Sequence, residues 1–145
     1  MLFRSVITLG ALMEYGVDFK GYREFKVMQT KQMLAGTFDI PMEFNGGLYS
    51  KTPEKQNFLT AQLGLYALNA QLGIPMELTW DNAGGVCEKW ELEDLITLAN
   101  AMQAEIKPLV MAQQEAEVAI NGAEDMDEVE YLMTEYAFAI DVDYA

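Results

Sequence analysis

The side chains that could do chemistry in this 145-residue chain are few in type. It has no histidine, one cysteine (Cys87), and 23 aspartates and glutamates against 9 lysines and arginines. Without histidine there is no imidazole general base, proton shuttle or histidine-ligated zinc site. One thiol excludes an internal disulfide framework and any multi-cysteine metal site. It also fits synthesis in a reducing compartment. Carboxylates are the remaining candidates. A facing pair can hydrolyse glycosidic bonds, but spacing in sequence does not single out a pair among so many acids. Gly46-Gly47 and Gly84-Gly85 are not phosphate loops, because no lysine follows in Walker spacing and no GxGxxG occurs. Both read as hairpin turns. Cys87 has only Lys89 nearby as a cationic activator and is expected as a buried, inert strand thiol. No catalytic residue, cofactor site or metal site is assigned.

Charge narrows the partners. The formal net charge is −14, and no Lys or Arg follows Lys107. Ten acids lie between Glu115 and Asp143. A phosphate backbone would be repelled, so nucleic acid is not expected as a partner. The acidic stretch reads as a solvated helix face, as a docking surface for a basic partner, or as a calcium site. Asp125-x-Asp127-Glu128 lacks the glycine and the terminal glutamate of an EF-hand loop. No apolar run approaches the ~20 residues that cross a bilayer, so membrane insertion is not expected. The apolar start is broken by Ser5, Thr8 and Gly10 and closed by Glu14, and a cleaved signal is not expected there.

The elements that position these residues are legible in outline. Length and a 51% hydrophobic content predict one globular domain. Residues 1–27 mix strand formers with glycines. They read as extended structure, or as a short amphipathic helix over 2–14. A helix near 22–35 would end at Gly36 as its C-cap glycine. Phe38, Ile40, Met42 and Phe44 alternate with polar residues before Asn45-Gly46, a strong hairpin signal, and Pro41 marks an edge strand. Thr52-Pro53 opens a helix that should run to Leu72 and stop at Gly73. Phe58, Leu59, Leu63, Tyr66 and Leu68 would form its apolar face, and Gly64 suggests a close backbone contact. Residues 76–82 and 86–90 read as a second hairpin. Trp80 and Trp90 flank it and are expected to pack onto a neighbouring helix. Most of the ten methionines fall at helix-stripe positions and read as core filling.

Glu91 to Asp94 start a long helix with a stripe from Leu92 to Ile106, which Pro108 should kink or interrupt. The pattern resumes to Asn121-Gly122. Asp125 and Glu128, at capping-box spacing, begin a last helix over 126–135. Ile140 to Tyr144 alternate like a strand. The fold class is therefore α+β: two small β-hairpins packed against two or three α-helices, with a helix-rich C-terminal half. Within a single domain over 1–145, residues 1–35 read as an N-terminal docking extension. Residues 36–135 read as the α+β core, and 136–145 as a strand-like tail.

Several of these features occur in a familiar order. The hairpin with Asn45-Gly46 is followed by Tyr49-Ser50 and Thr52, then by a helix with Gln56-Asn57. Leu78-Thr79-Trp80-Asp81-Asn82 comes next, then a helix with Leu92, Leu95, Leu98, Ala99, Ala101 and Met102. An acid-rich segment from Ala123 to Leu132 closes the series. From about Ala35 to Leu132 this order resembles an uncharacterised domain recurrent in tail and tail-fibre proteins of bacteriophages (the DUF4376 type). That domain often has a histidine in its long helix, where this chain has Glu105. The resemblance implies a non-enzymatic structural protein of the virion, in the tail, baseplate or fibre-attachment region. Such a protein is made in the host bacterial cytoplasm and acts through protein–protein contacts. Its partners would be other tail, baseplate or fibre proteins and further copies of itself, with no cofactor. A tail or tail-fibre assembly chaperone is the alternative, and a carboxylate-based polysaccharide hydrolase a third. Interface candidates are Phe3, Val6, Ile7, Phe19, Phe138, Ile140, Val142 and Tyr144, in the two segments outside the recognisable pattern.

Overall fold

The structure, a computed structural model, describes residues 18–144. Over that span the fold is α+β. It comprises α1 (Phe19–Phe38), β1 (Met42–Phe44), β2 (Gly47–Tyr49), α2 (Pro53–Gln71), β3 (Leu78–Trp80), β4 (Glu88–Trp90), α3 (Leu92–Asn121) and α4 (Met126–Ala139). The strands form two separate antiparallel hairpins. The described residues divide into two compact units. Residues 38–107 make one, and the described residues 18–37 and 108–144 make the other.

In the unit of residues 38–107, Asn45 and Gly46 both have positive φ, 48° and 81°. This is the backbone of a tight two-residue hairpin, and it sets Met42 opposite Tyr49 and Phe44 opposite Gly47. The strand is shorter than the alternation suggested. Phe38 belongs to α1, and Pro41 precedes β1. Thr52 caps α2 by accepting the Lys55 N–H at 3.3 Å. The helix ends where expected, with Gly73 at φ 69°. Gly73 N–H bonds Ala70 O, and Ile74 N–H reaches back to Asn69 O at 2.8 Å. Those two bonds are the paired bonds of a Schellman stop. Gly64 makes no close approach, since a Cβ there would meet nothing within 4 Å. In the second hairpin Leu78 pairs with Trp90 and Trp80 with Glu88. Leu78 and Trp80 are buried, as are Met42, Leu59, Leu95, Leu98, Met102 and Ile106. Cys87 is exposed, not buried, because it lies just before β4 in the irregular arm of this hairpin.

In the other unit α1 extends through Gly36, which does not cap it and faces open space. Tyr22, Val27, Ile120, Ala123, Val129 and Met133 form one buried cluster. Ala116, Tyr136 and Ile140 form a second, with Met33, Leu109, Ala112 and Val142 against it. Helix α3 is continuous through Pro108, where a kink or an interruption was expected, so the helix is not interrupted, and the boundary between the units falls there. Asp125 accepts the Glu128 N–H at 2.8 Å and caps α4. The strand-like tail is not a strand. Residues 136–139 continue α4, and the helix stops at Asp141, φ 57°. Val142 N–H bonds Ala137 O and Asp141 N–H bonds Phe138 O, a Schellman stop with aspartate where glycine is usual. The alternation of Ile140 and Val142 serves that stop by packing both onto the helix pair.

Candidate interaction surface

The most unusual surface lies on α2. Its inner side is fastened by polar groups. Gln62 Nε2 donates to Thr79 O, and Gln62 Oε1 accepts from Thr79 N–H, each at 2.9 Å. Lys55 meets Asp81 at 2.7 Å and lies over the Trp80 ring at 5.2 Å. Gln56 Nε2 donates to Lys51 O at 2.7 Å. Leu59 is the one fully buried apolar residue of the helix. Of the apolar face inferred from sequence, Leu59 is buried, Leu63 and Tyr66 are half-buried, and Phe58 and Leu68 are exposed, in a row with Leu65 and Leu72. Phe58 is 57% exposed, Leu65 51%, Leu68 59% and Leu72 73%. With exposed Ala61 they fall at alternate steps of three and four residues, the spacing of a helix-pairing seam. Ile74, just past the helix, extends the patch. From Gln56 through Met76 the chain has no charged residue. Isolated exposed leucines are ordinary, whereas a contiguous uncharged row marks a contact site.

The hairpins of the same unit are tied together. Ala83 N–H donates to Leu48 O at 2.7 Å. Tyr49 meets Trp90 edge-on, with ring centroids 5.6 Å apart. Lys51, itself buried, reaches Glu105 at 3.6 Å. Trp80 is a core residue, packed beside Phe58 at 5.8 Å between centroids.

The described interface candidates from sequence differ in exposure. Phe3, Val6 and Ile7 lie outside the described residues. Phe138 is 86% exposed, but Ile140 is buried and Val142 packs against its cluster. Phe19 stacks on Tyr22 at 6.3 Å and lies under the Arg23 guanidinium at 4.8 Å. Tyr144 belongs to a polar knot built on the fully buried Lys26. Lys26 Nζ donates to Tyr144 Oη at 2.7 Å and sits 3.1 Å from Glu130. Glu130 also accepts from Tyr22 and Tyr144. This knot joins α1, α4 and the C-terminal segment, and its groups are engaged with one another.

A second polar line in this unit runs through Thr30. Tyr136 Oη donates to Thr30 O at 2.9 Å, and Gln113 Nε2 to Thr30 Oγ1 at 3.3 Å. Burial pushes the Tyr136 phenol up to about 12. On the surface, the hydrogen bond to Glu135, followed by that carboxylate's charge, raises the Tyr131 phenol above its ordinary value.

A groove lined by Ala112, Ala116, Ala119, Leu132 and Tyr136 has Glu115 and Glu135 in its wall. The rest of its lining is alanine with Leu132 and Tyr136, whose hydroxyl is engaged with Thr30 O. Among the described residues no three cysteine, aspartate or glutamate side chains gather as a metal ion would require. Asp125 and Glu128 are instead used as caps, since Glu128 Oε2 accepts the Glu124 N–H at 2.9 Å. No described helix is long and apolar enough to cross a membrane.

No protein-family description, curated protein or solved structure matches the chain. The α2 row was only partly legible in sequence, since Phe58 and Leu68 were read as apolar-face positions, Ala61, Leu65 and Leu72 were not, and the outward direction was not foreseen. The missing signal was Gln62, whose role depends on a strand 17 residues away.

Proposed function

We propose that the chain is a non-enzymatic assembly protein that works by protein–protein contact. The single observation that supports this most is the uncharged, exposed apolar row on α2. In a chain of net charge −14, 21 consecutive uncharged residues from Gln56 to Met76 include four large apolar side chains at least half exposed, three on α2 and Leu72 at its C-cap. Water contact with such a row is unfavourable, and a protein surface is the environment that relieves it.

The setting we propose is the bacteriophage tail, baseplate or fibre-attachment region, with the protein made in the bacterial cytoplasm and retained in the virion. This part rests on the motif order between Ala35 and Leu132. An assembly chaperone would use the same surface transiently and leave the finished particle. Mass spectrometry of particles purified from the virus that encodes the chain separates the two. A structural protein is recovered in fixed proportion to the other tail proteins. Recovery from infected cells but not from particles would replace the structural role with the chaperone role. Absence from both would overturn the viral assignment.

A further inference from the structure

We propose that the exposed row of α2 binds the same row of a second copy of this chain, as an antiparallel helix pair with a twofold axis beside Leu65. The inference deepens the assembly reading and rests on it.

Three observations select this occupant. The first is the order of residue sizes. Phe58, Ala61, Leu65, Leu68 and Leu72 are centred on Leu65. An antiparallel twofold places Leu65 beside its own copy, Ala61 across from Leu68, and Phe58 across from Leu72. Each small residue then meets a large one. A parallel pair would set Ala61 against Ala61 and leave a void beside it, and voids are costly in packed interfaces. Antiparallel packing also opposes the two helix dipoles favourably.

The second is charge. Two copies of net charge −14 repel each other. Their repulsion is least felt on a surface that carries no like charge of its own, and Gln56 to Met76 is uncharged. Its 19-residue helix is about 28 Å long, well beyond a screening length of ~8 Å in physiological salt. By contrast, exposed Tyr131 and Phe138 of α4 share their helix with Glu128 and Glu135.

The third is area. Covering Phe58, Leu65, Leu68, Leu72 and Ile74 removes roughly 500 Å² from water on each copy, the larger part of the ~800 Å² per partner of a stable interface. Isologous pairing buries this row twice with one set of residues.

The test uses the full chain with Leu65→Glu and Leu65→Lys, each examined by light scattering on a sizing column and by circular dichroism. Leu65 is half exposed, so both variants are expected to keep the helix content of the parent. The parent should run at twice 16.3 kDa. Each variant alone should run at 16.3 kDa, because like charges meet at the axis. Mixing the two in equal amounts should restore the dimer, which only pairing of the same face with itself can do. A monomeric parent overturns the proposal, as does an oligomer that both substitutions leave intact. Variants that stay monomeric when mixed also overturn it, since the face would then bind something other than itself. A parent that is monomeric in solution but recovered in virions would sink the dimer and leave the assembly reading standing.

Discussion

Gln62 holds Thr79 by both of its backbone polar groups, with 2.9 Å for each hydrogen bond. Thr79 sits in the middle of β3, a strand with a neighbour on one side only. A two-stranded ribbon leaves outward backbone groups on each edge, and such edges invite pairing with other chains. Here a helix side chain satisfies one edge position. Because polar Gln62, together with Lys55, fastens α2 inward beside buried Leu59, Phe58, Leu65 and Leu68 are left outward. The same relationship thus accounts for the local fold and for the exposed row.

Replacing Gln62 with alanine removes both bonds and leaves Thr79 N–H and C=O without this partner. The expected loss is about 2 kcal/mol, at roughly 1 kcal/mol per bond. Urea denaturation measures it. Amide exchange at Thr79 should accelerate while amides of α4 are unchanged.

Asp141 occupies a left-handed position, φ 57°, at the end of α4. Glycine adopts that conformation without the side-chain clash, which costs other residues roughly 1–2 kcal/mol. Asp141→Gly should therefore stabilise the protein by about 1 kcal/mol, read as a higher denaturation midpoint. Asp141→Val, with a branched side chain at the same φ, should lower it.

The knot at Lys26 makes an ordered prediction. Glu130→Ala takes a carboxylate from a fully buried ammonium and an acceptor from two tyrosine hydroxyls. Removing one partner of a buried ion pair costs about 3 kcal/mol. Glu130→Gln keeps a carbonyl acceptor and should cost less than Glu130→Ala. Thermal unfolding of the three proteins should rank them parent, glutamine, alanine.

The Tyr136 phenol, ordinarily near 10.0, is pushed up to about 12 by burial. Its folded state keeps the proton over a range where the unfolded chain gives it up. The stability linked to this group is therefore complete below pH 10 and is lost as pH rises from 10 toward 12. Ionisation would also end its donation to Thr30 O. In an absorbance titration of the tyrosines, one late step should vanish in Tyr136→Phe. That variant should also lose about 1 kcal/mol at neutral pH, the worth of one buried hydrogen bond.

Local rules made much of this fold readable. Asn45-Gly46, Thr52-Pro53, Gly73 and Asp125 act over a few residues, and each turn or cap sits where its chemistry places it. The helix ends without glycine were misread. Asp141 stops α4 in place of glycine, and Ile140 and Val142 then mimic strand alternation. Gly36 lies inside α1, where it is only a weak helix former. The surface was harder to read than the elements. Apolar periodicity on α2 indicates that a helix has an apolar face but not whether the chain itself covers it. Which side turns inward is decided by Gln62 and Lys55, through Thr79 and Asp81, and those pairings become visible only in three dimensions. Burial of Lys26 was equally hidden, since its partners Glu130 and Tyr144 lie more than a hundred residues away.

The most direct test of the central claim is hydroxyl-radical footprinting of Phe58, Leu65, Leu68 and Leu72 across a dilution series of the full chain. If α2 is a contact surface between copies, these four side chains are protected at high concentration and become reactive together on dilution, while exposed Phe138 reacts equally throughout. Equal reactivity of the four at every concentration would contradict the account.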